Sequence, residues 1–454
     1  MHRCFPIAIG TGPSQFHPAA PDTVAFMPLD VAQVCAQLIR FDTTNRGGGD
    51  SAGEREAAEH VAALLQDNGV PPMLLEPAPR RTNVLARVPG TDPSLPALLV
   101  QSHLDVVPAD PAEWSFDPFA GEIRDGYVHG RGAVDMKDMA AMTLAVINRW
   151  HTEGRRPRRD IVLAFVADEE DQGAYGAHWL VEHHAAYFAG VQAAISESGA
   201  FSYDVDGVRL YPIGTAERGT SHMKLTATGR AGHGSRRNDQ NAVTALATTL
   251  ARIAAHQHPV RLTPTVEAFL VGAGKALGVE VDLDDVDATL ARLGPAAKLA
   301  ENTVRCSTTP TMLQAGYKVN VIPGTATAQL DVRTLPGTVD ELVATIDALL
   351  PPGVTREFLE HQPPVEAPVD TPWFTAMADA LRDEDPAAAV VPYCLGGGTD
   401  AKAFSRLGIH CYGFSPLRLP VDFDYRAMAH GVDERVPVAG LEFGVRVLDR
   451  FLSS

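Results

Sequence analysis

Between positions 103 and 430 the chain carries His103, Asp105, Asp135, Glu169, Glu170, Glu197 and His430, side-chain types that together suit a two-zinc hydrolase. Each sits in a short signature: His-Leu-Asp (103–105), Gly-Arg-Gly-Ala-Val-Asp-Met-Lys (130–137), Ala-Asp-Glu-Glu (167–170), Ser-Glu-Ser-Gly (196–199) and His-Gly-Val-Asp-Glu (430–434). Imidazole and carboxylate donors without thiolate suit Zn²⁺ in catalytic sites, where the protein leaves a position open for water. The same donors accept Co²⁺ or Mn²⁺.

Two divalent ions about 3.5–4 Å apart need a bridging carboxylate and further ligands on each. Asp135 follows a turn containing Gly130 and Gly132 and is the candidate bridge. The competing reading makes it a solvated helix N-cap, because Met136 to Trp150 has a helical pattern. His103 and Asp105 face one side of a strand end, so Asp105 can orient the imidazole from behind. Glu169-Glu170 is more telling, since adjacent carboxylates repel unless cations are near. One can bind metal while the other takes a proton from the attacking water. The bland alternative is a solvated acidic loop, 168–171. Glu197 lies at a strand-to-loop exit, and His430 is otherwise one of 16 histidines, most of them surface groups.

The elements that must position these groups alternate between helix and strand. Ala97–Gln101, Ile161–Ala167 and Ala193–Ser196 are apolar runs of strand length, suited to a mainly parallel sheet buried on both faces. Each ends where a candidate ligand begins, at the strand ends where open α/β sheets place their crevice. Ser51-Ala52-Gly53-Glu54 has the form of a capping box, and Gly69 closes the helix that follows.

A second unit begins near Glu217: strand 222–228, helix 241–256, a strand pair within 317–334 turning at Pro323-Gly324, helix 339–350 and strand 354–359. That order is βαββαβ, a small α+β unit. An acidic segment at about 262–302 reads as an insertion in it. From Pro372 the helix–strand alternation returns, so the larger domain is discontinuous. The expected organisation is a flexible extension at 1–27, a catalytic domain at 28–215 and 363–454, and a lid at 216–362.

A formal charge of -18 argues against nucleic acid or an anionic membrane surface as partner. No stretch approaches membrane-spanning length. Five cysteines without CxxC spacing read as reduced thiols in a cytoplasmic protein.

In order and spacing, the five signatures resemble the zinc-dependent carboxypeptidase/aminoacylase family, from about residue 30 to the C-terminus. This family includes carboxypeptidase G, carboxypeptidase S, aminoacylase, acetylornithine deacetylase and succinyl-diaminopimelate desuccinylase. The resemblance implies two zinc ions, one on His103, Asp135 and Glu197, the other on Asp135, Glu170 and His430. It makes Glu169 the general base and Asp105 the orienter of His103. The Trp114–Phe119 stretch and the insertion look most like carboxypeptidase S and aminoacylase.

The second unit resembles the family's lid and dimerisation domain. His233, in Gly-Arg-Ala-Gly-His-Gly-Ser (229–235), would then meet the reacting carbonyl, commonly across a homodimer. Strand 222–228 would offer an exposed edge for pairing. Asn320 and Arg333 resemble groups that hold the substrate, and a guanidinium fork suits a terminal carboxylate. Gly397, Gly398 and Thr399 form a candidate backbone cradle for the same anion.

The expected reaction is hydrolysis of an amide beside a free carboxylate. Short peptides (carboxypeptidase or dipeptidase action) and N-acyl amino acids (aminoacylase or deacylase action) stand nearly even as substrates. A non-catalytic carboxylate-binding member of the fold is the remote alternative.

Overall fold

The computed structural model describes residues 28–454, so the N-terminal extension and Cys4 lie outside the described residues. Long apolar runs with few polar interruptions become the middle of a ten-stranded sheet. Ala97–His103 pairs in parallel with Ile161–Val166 on one side and with Val191–Ser196 on the other. His410–Gly413 continues the parallel set beside Val191–Ser196. Antiparallel strands flank it: Arg81–Val88 and Pro72–Ala78 at one end, Val208–Glu217 toward the other. The fold is therefore α/β with a mainly parallel central sheet. Helices Val31–Ile39, Lys137–Glu153 and Val438–Ser453 share a core on one face, while Ala177–His183 covers the other.

The helix expected after the capping box begins at Arg55, one turn later than the box requires. Glu54 makes no capping bond with its side chain; it is buried and ion-paired to Arg81 at 3.0 Å. Ser51 Oγ instead accepts the N–H of Gly53. Glu54 thus faces the buried Arg81 rather than the helix N-terminus, so the local capping pattern is not used.

The smaller unit is a five-stranded antiparallel sheet backed by helices Ala242–Ala255 and Val339–Leu349. Its middle hairpin differs from the expected one. Ser307–Ala315, not the stretch after Tyr317, pairs with Thr325–Thr334, with a register shift between Pro310 and Met312. Val321–Ile322 instead forms a short ribbon with Gly232–His233. Ser307–Ala315 is an outer strand of Thr, Pro and Gln, so no buried alternation marked it. Met223–Thr228, expected at an edge, lies between Thr325–Thr334 and Val354–Phe358.

The segment at 262–302 does not pack on this sheet. Helix Pro264–Leu277 lies against Ala389–Leu395 and Val208–Glu217, burying Val266, Phe269, Leu270 and Ala273 in the core of the larger unit. A run read as an insertion of the lid thus completes the other domain.

Candidate active site

Every parallel strand that ends at a candidate ligand opens onto one crevice. Its lining includes Asp135, Glu169, Glu170, Glu197, His430, Arg333 and Gly397–Asp400, around about 460 Å³ of cavity. Asp135 is central. One of its carboxylate oxygens lies 3.0 Å from His103 Nε2, the other 3.3 Å from His430 Nε2. His103 Nε2 is also 3.8 Å from Glu197, and His430 Nε2 is 3.2 Å from Glu170. Donor atoms of His103, Asp135 and Glu170 lie within 4.8 Å of one another, as do those of His103, Glu169 and Glu197.

The turn that presents Asp135 is fixed from below by Glu434, which the sequence reading left without a role. Buried Glu434 accepts Arg131 at 2.6 Å and the backbone N–H groups of Gly132, Val134 and Asp135. Burial pushes its pKa up to about 7. Gly132 has φ +89°, and a Cβ there would sit 2.8 Å from Val106, so the turn needs glycine. The Asp135–Met136 peptide is cis.

Asp105 reaches further than its expected contact with His103. The Nδ1 of His103 lies 3.0 Å from the Asp105 carbonyl and 3.6 Å from its carboxylate. That carboxylate also accepts Asn45 at 2.9 Å and the backbone N–H groups of Glu169 and Glu170. Asp168, likewise buried, takes Arg81 at 2.6 Å and the N–H of Tyr175 at 2.9 Å, closing the turn beneath the two glutamates.

The electrostatics show what kind of charge the cluster suits. Burial, then the charge of Glu197, holds the Glu169 carboxyl well above its usual range. Glu197 is raised by burial and by Asp135, and Glu170 by burial. Asp135 moves the other way, since hydrogen bonds from His103 and His430 outweigh its burial. Those of Asp135 and Glu170 push His430 up to about 10. Glu170 Oε1 is buried without any hydrogen-bond partner. Crowded carboxylates with an orphaned oxygen are a site built for cations, and the donor set fits hard or borderline divalent metals.

Two expected substrate groups are not in this crevice. His233 and Asn320 are exposed side by side on the short ribbon, where the N–H of Gly234 donates to the Asn320 carbonyl. Arg333 does line the crevice, held by Asp331 at 2.7 Å and Thr220 at 2.9 Å. His222, Glu360 and Asp400 join it there, although nothing local in the sequence marked them. Asp400 accepts Gln101 Nε2 at 2.6 Å, and Gln101 in turn accepts the Ser196 hydroxyl. Burial lifts Asp400 to about 8.

Sheet, crevice and donor cluster define a metal-dependent hydrolase of peptide or linear amide bonds. The chain belongs to peptidase family M20/M25/M40, whose model matches residues 99–454. It is 30% identical over 387 residues to aminoacylase-1 of Homo sapiens, covering 83% of this chain and 84% of that protein. An N-fatty-acyl-amino acid synthase/hydrolase of Xenopus tropicalis is also 30% identical, over 80% of this chain and 73% of its own length. Among solved structures, an M20 family metallo-carboxypeptidase from Sulfolobus solfataricus superposes with a TM-score of 0.69. It is 17% identical and covers 93% of this chain and 98% of its own.

Proposed function

We propose that this protein is a two-metal amidohydrolase that releases an amino acid from a short N-acyl amino acid, with Zn²⁺ as the native ion. The observation that carries it is Asp135, with one oxygen toward His103 and the other toward His430. His103, Asp135 and Glu197 would hold one ion; Asp135, Glu170 and His430 would hold the other. When bound, the ions acidify the attacking water and polarise the scissile carbonyl.

Glu169 faces the crevice and, with its raised pKa, is suited to take a proton from that water and pass it to the leaving nitrogen. Arg333 and the N–H groups of Gly397 and Gly398 would receive the substrate carboxylate, because the expected third donor, the Thr399 N–H, is already held by Glu217. The human relative is named an aminoacylase and the Xenopus tropicalis relative an N-fatty-acyl-amino acid synthase/hydrolase, which favours acyl-amino acids over peptides. Among the described residues Leu395 is the only large apolar side chain lining the crevice, so a short acyl group fits it better than a fatty chain.

We further propose a homodimer in which His233 and Asn320 serve the partner's crevice. Among the described residues Ser307–Ala315 pairs on one side only; within it Met312 and Leu313 are 50% and 61% exposed, and just beyond it Tyr317 and Val319 are 83% and 103% exposed. Such a patch beside an open strand edge suits a second copy. A cytoplasmic setting is consistent with four described cysteines without a disulfide, and among the described residues no helix is long and apolar enough to cross a membrane.

Chelation tests the central reading. EDTA should abolish hydrolysis of acetyl-amino acids, and Zn²⁺, Co²⁺ or Mn²⁺ should restore it, with about two ions bound per chain. Full activity in metal-depleted protein would refute it.

A further inference from the structure

A buried ammonium lies under the glycine loop. Lys402 is 2% exposed, and its Nζ lies 3.3 Å from Glu217 Oε2 and 3.1 Å from the Arg218 carbonyl. Glu217 also accepts the Thr399 N–H at 3.0 Å and the Thr399 hydroxyl. The loop runs directly over this ammonium: a Cβ on Gly398 would sit 2.0 Å from Nζ. The segment holding these groups is the crossing between domains. Glu217 ends a strand of the large sheet, and Gly219–Thr220 pairs with Arg333–Thr334 of the lid. Thr220 Oγ1, in turn, accepts Arg333 Nη1 at 2.9 Å.

We propose that Lys402 is a positioning residue for substrate binding. It clamps the crossing segment so that the Gly397–Gly398 backbone, from one domain, and Arg333, from the other, face a single substrate carboxylate. Lys402 touches no substrate itself. An ammonium satisfies both acceptors here, the Glu217 carboxylate and the Arg218 carbonyl, which an apolar side chain cannot do. The inference rests on the proposed binding of a free carboxylate by these groups.

The test compares hydrolysis of an acetyl-amino acid with that of its carboxamide, for the metal-loaded native protein, Lys402→Met and the double variant Glu217→Met/Lys402→Met. Removing one partner of a buried pair can unfold a protein, whereas replacing both with apolar residues is often tolerated, so the double variant guards against misfolding. Expected for a folded variant is a KM for the acid raised about tenfold or more, the size of one lost charge-assisted contact. Its kcat should stay within about threefold and its metal content should match the native protein, because no ligand moves. Carboxamide kinetics should be nearly unchanged. A folded variant with native KM for the acid, or with metal loss, overturns the proposal. If the native protein itself does not prefer the acid to the carboxamide, the carboxylate-binding reading fails, and this inference with it.

Discussion

The Asp105 carboxylate accepts the backbone N–H of Glu169 at 3.1 Å, while its own carbonyl faces His103 Nδ1 at 3.0 Å. One buried residue, through its carbonyl and its carboxylate, thereby sets the spacing between a candidate ligand on one strand end and the glutamate pair on its neighbour. The strands are adjacent and parallel, which brings their ends to the same level.

Asp105→Asn replaces one acceptor oxygen by a donor that faces Asn45 or Glu169. Metal affinity should fall about 10–100-fold, the usual cost of losing an outer-shell partner. Competition with a chromogenic chelator measures it, and native affinity in the variant would remove Asp105 from this role.

The adjacent glutamates should separate in their effects. Glu169→Gln keeps its size but accepts no proton, so it should retain metal and lose roughly 10²–10⁴-fold in kcat. Glu170→Gln should lose metal instead, because His430 and the orphaned Oε1 both point to ligation. Metal analysis of both purified variants decides; equal metal loss would mean the roles are misassigned.

His233 should act on the partner's substrate. Neither His233→Ala nor Glu169→Gln homodimers should turn over at an appreciable rate. Mixed under subunit exchange, they should regain part of the native activity, since one crevice then has both an intact base and an intact lid histidine. Proven exchange without recovery would place His233 outside catalysis in trans.

Acid stability should depend on Asp385, far from the metal site. Burial raises its carboxyl, but hydrogen bonds from Arg209 at 2.7 Å and Tyr211 at 2.9 Å outweigh that and lower it. A depressed folded pKa stabilises above the unfolded value, about 3.9, and that stability is lost as pH falls through the folded value. Asp385→Asn should therefore be less stable than the native protein by about 1–3 kcal/mol near neutral pH. The gap should narrow below about pH 4. Denaturant melts across pH give the curve, and a gap that widens on acidification would contradict the sign.

Much of the site was legible because its parts are local. A run such as Ile161–Val166 announces a buried strand, and the residues just after it fall at the crevice by the geometry of a parallel sheet. Histidines and carboxylates in short signatures carry their own chemistry, so the donor types gathered around Asp135 could be read from a few positions. Adjacent Glu169 and Glu170 were informative because their repulsion requires an explanation.

The sequence by itself determined which candidate groups fall at the strand ends and which runs become the sheet; the tertiary structure decided which buried polar groups meet. Glu434 with the turn before Asp135, Arg81 with Glu54 and Asp168, and Lys402 with Glu217 are pairings between distant segments. Local periodicity reports burial and turns but not which strand ends become neighbours, and a buried charge is stable only beside the partner that topology supplies. The same reason moved segment 262–302 onto the larger domain. Its apolar face fits any open core, and only the assembled sheet showed which one was open.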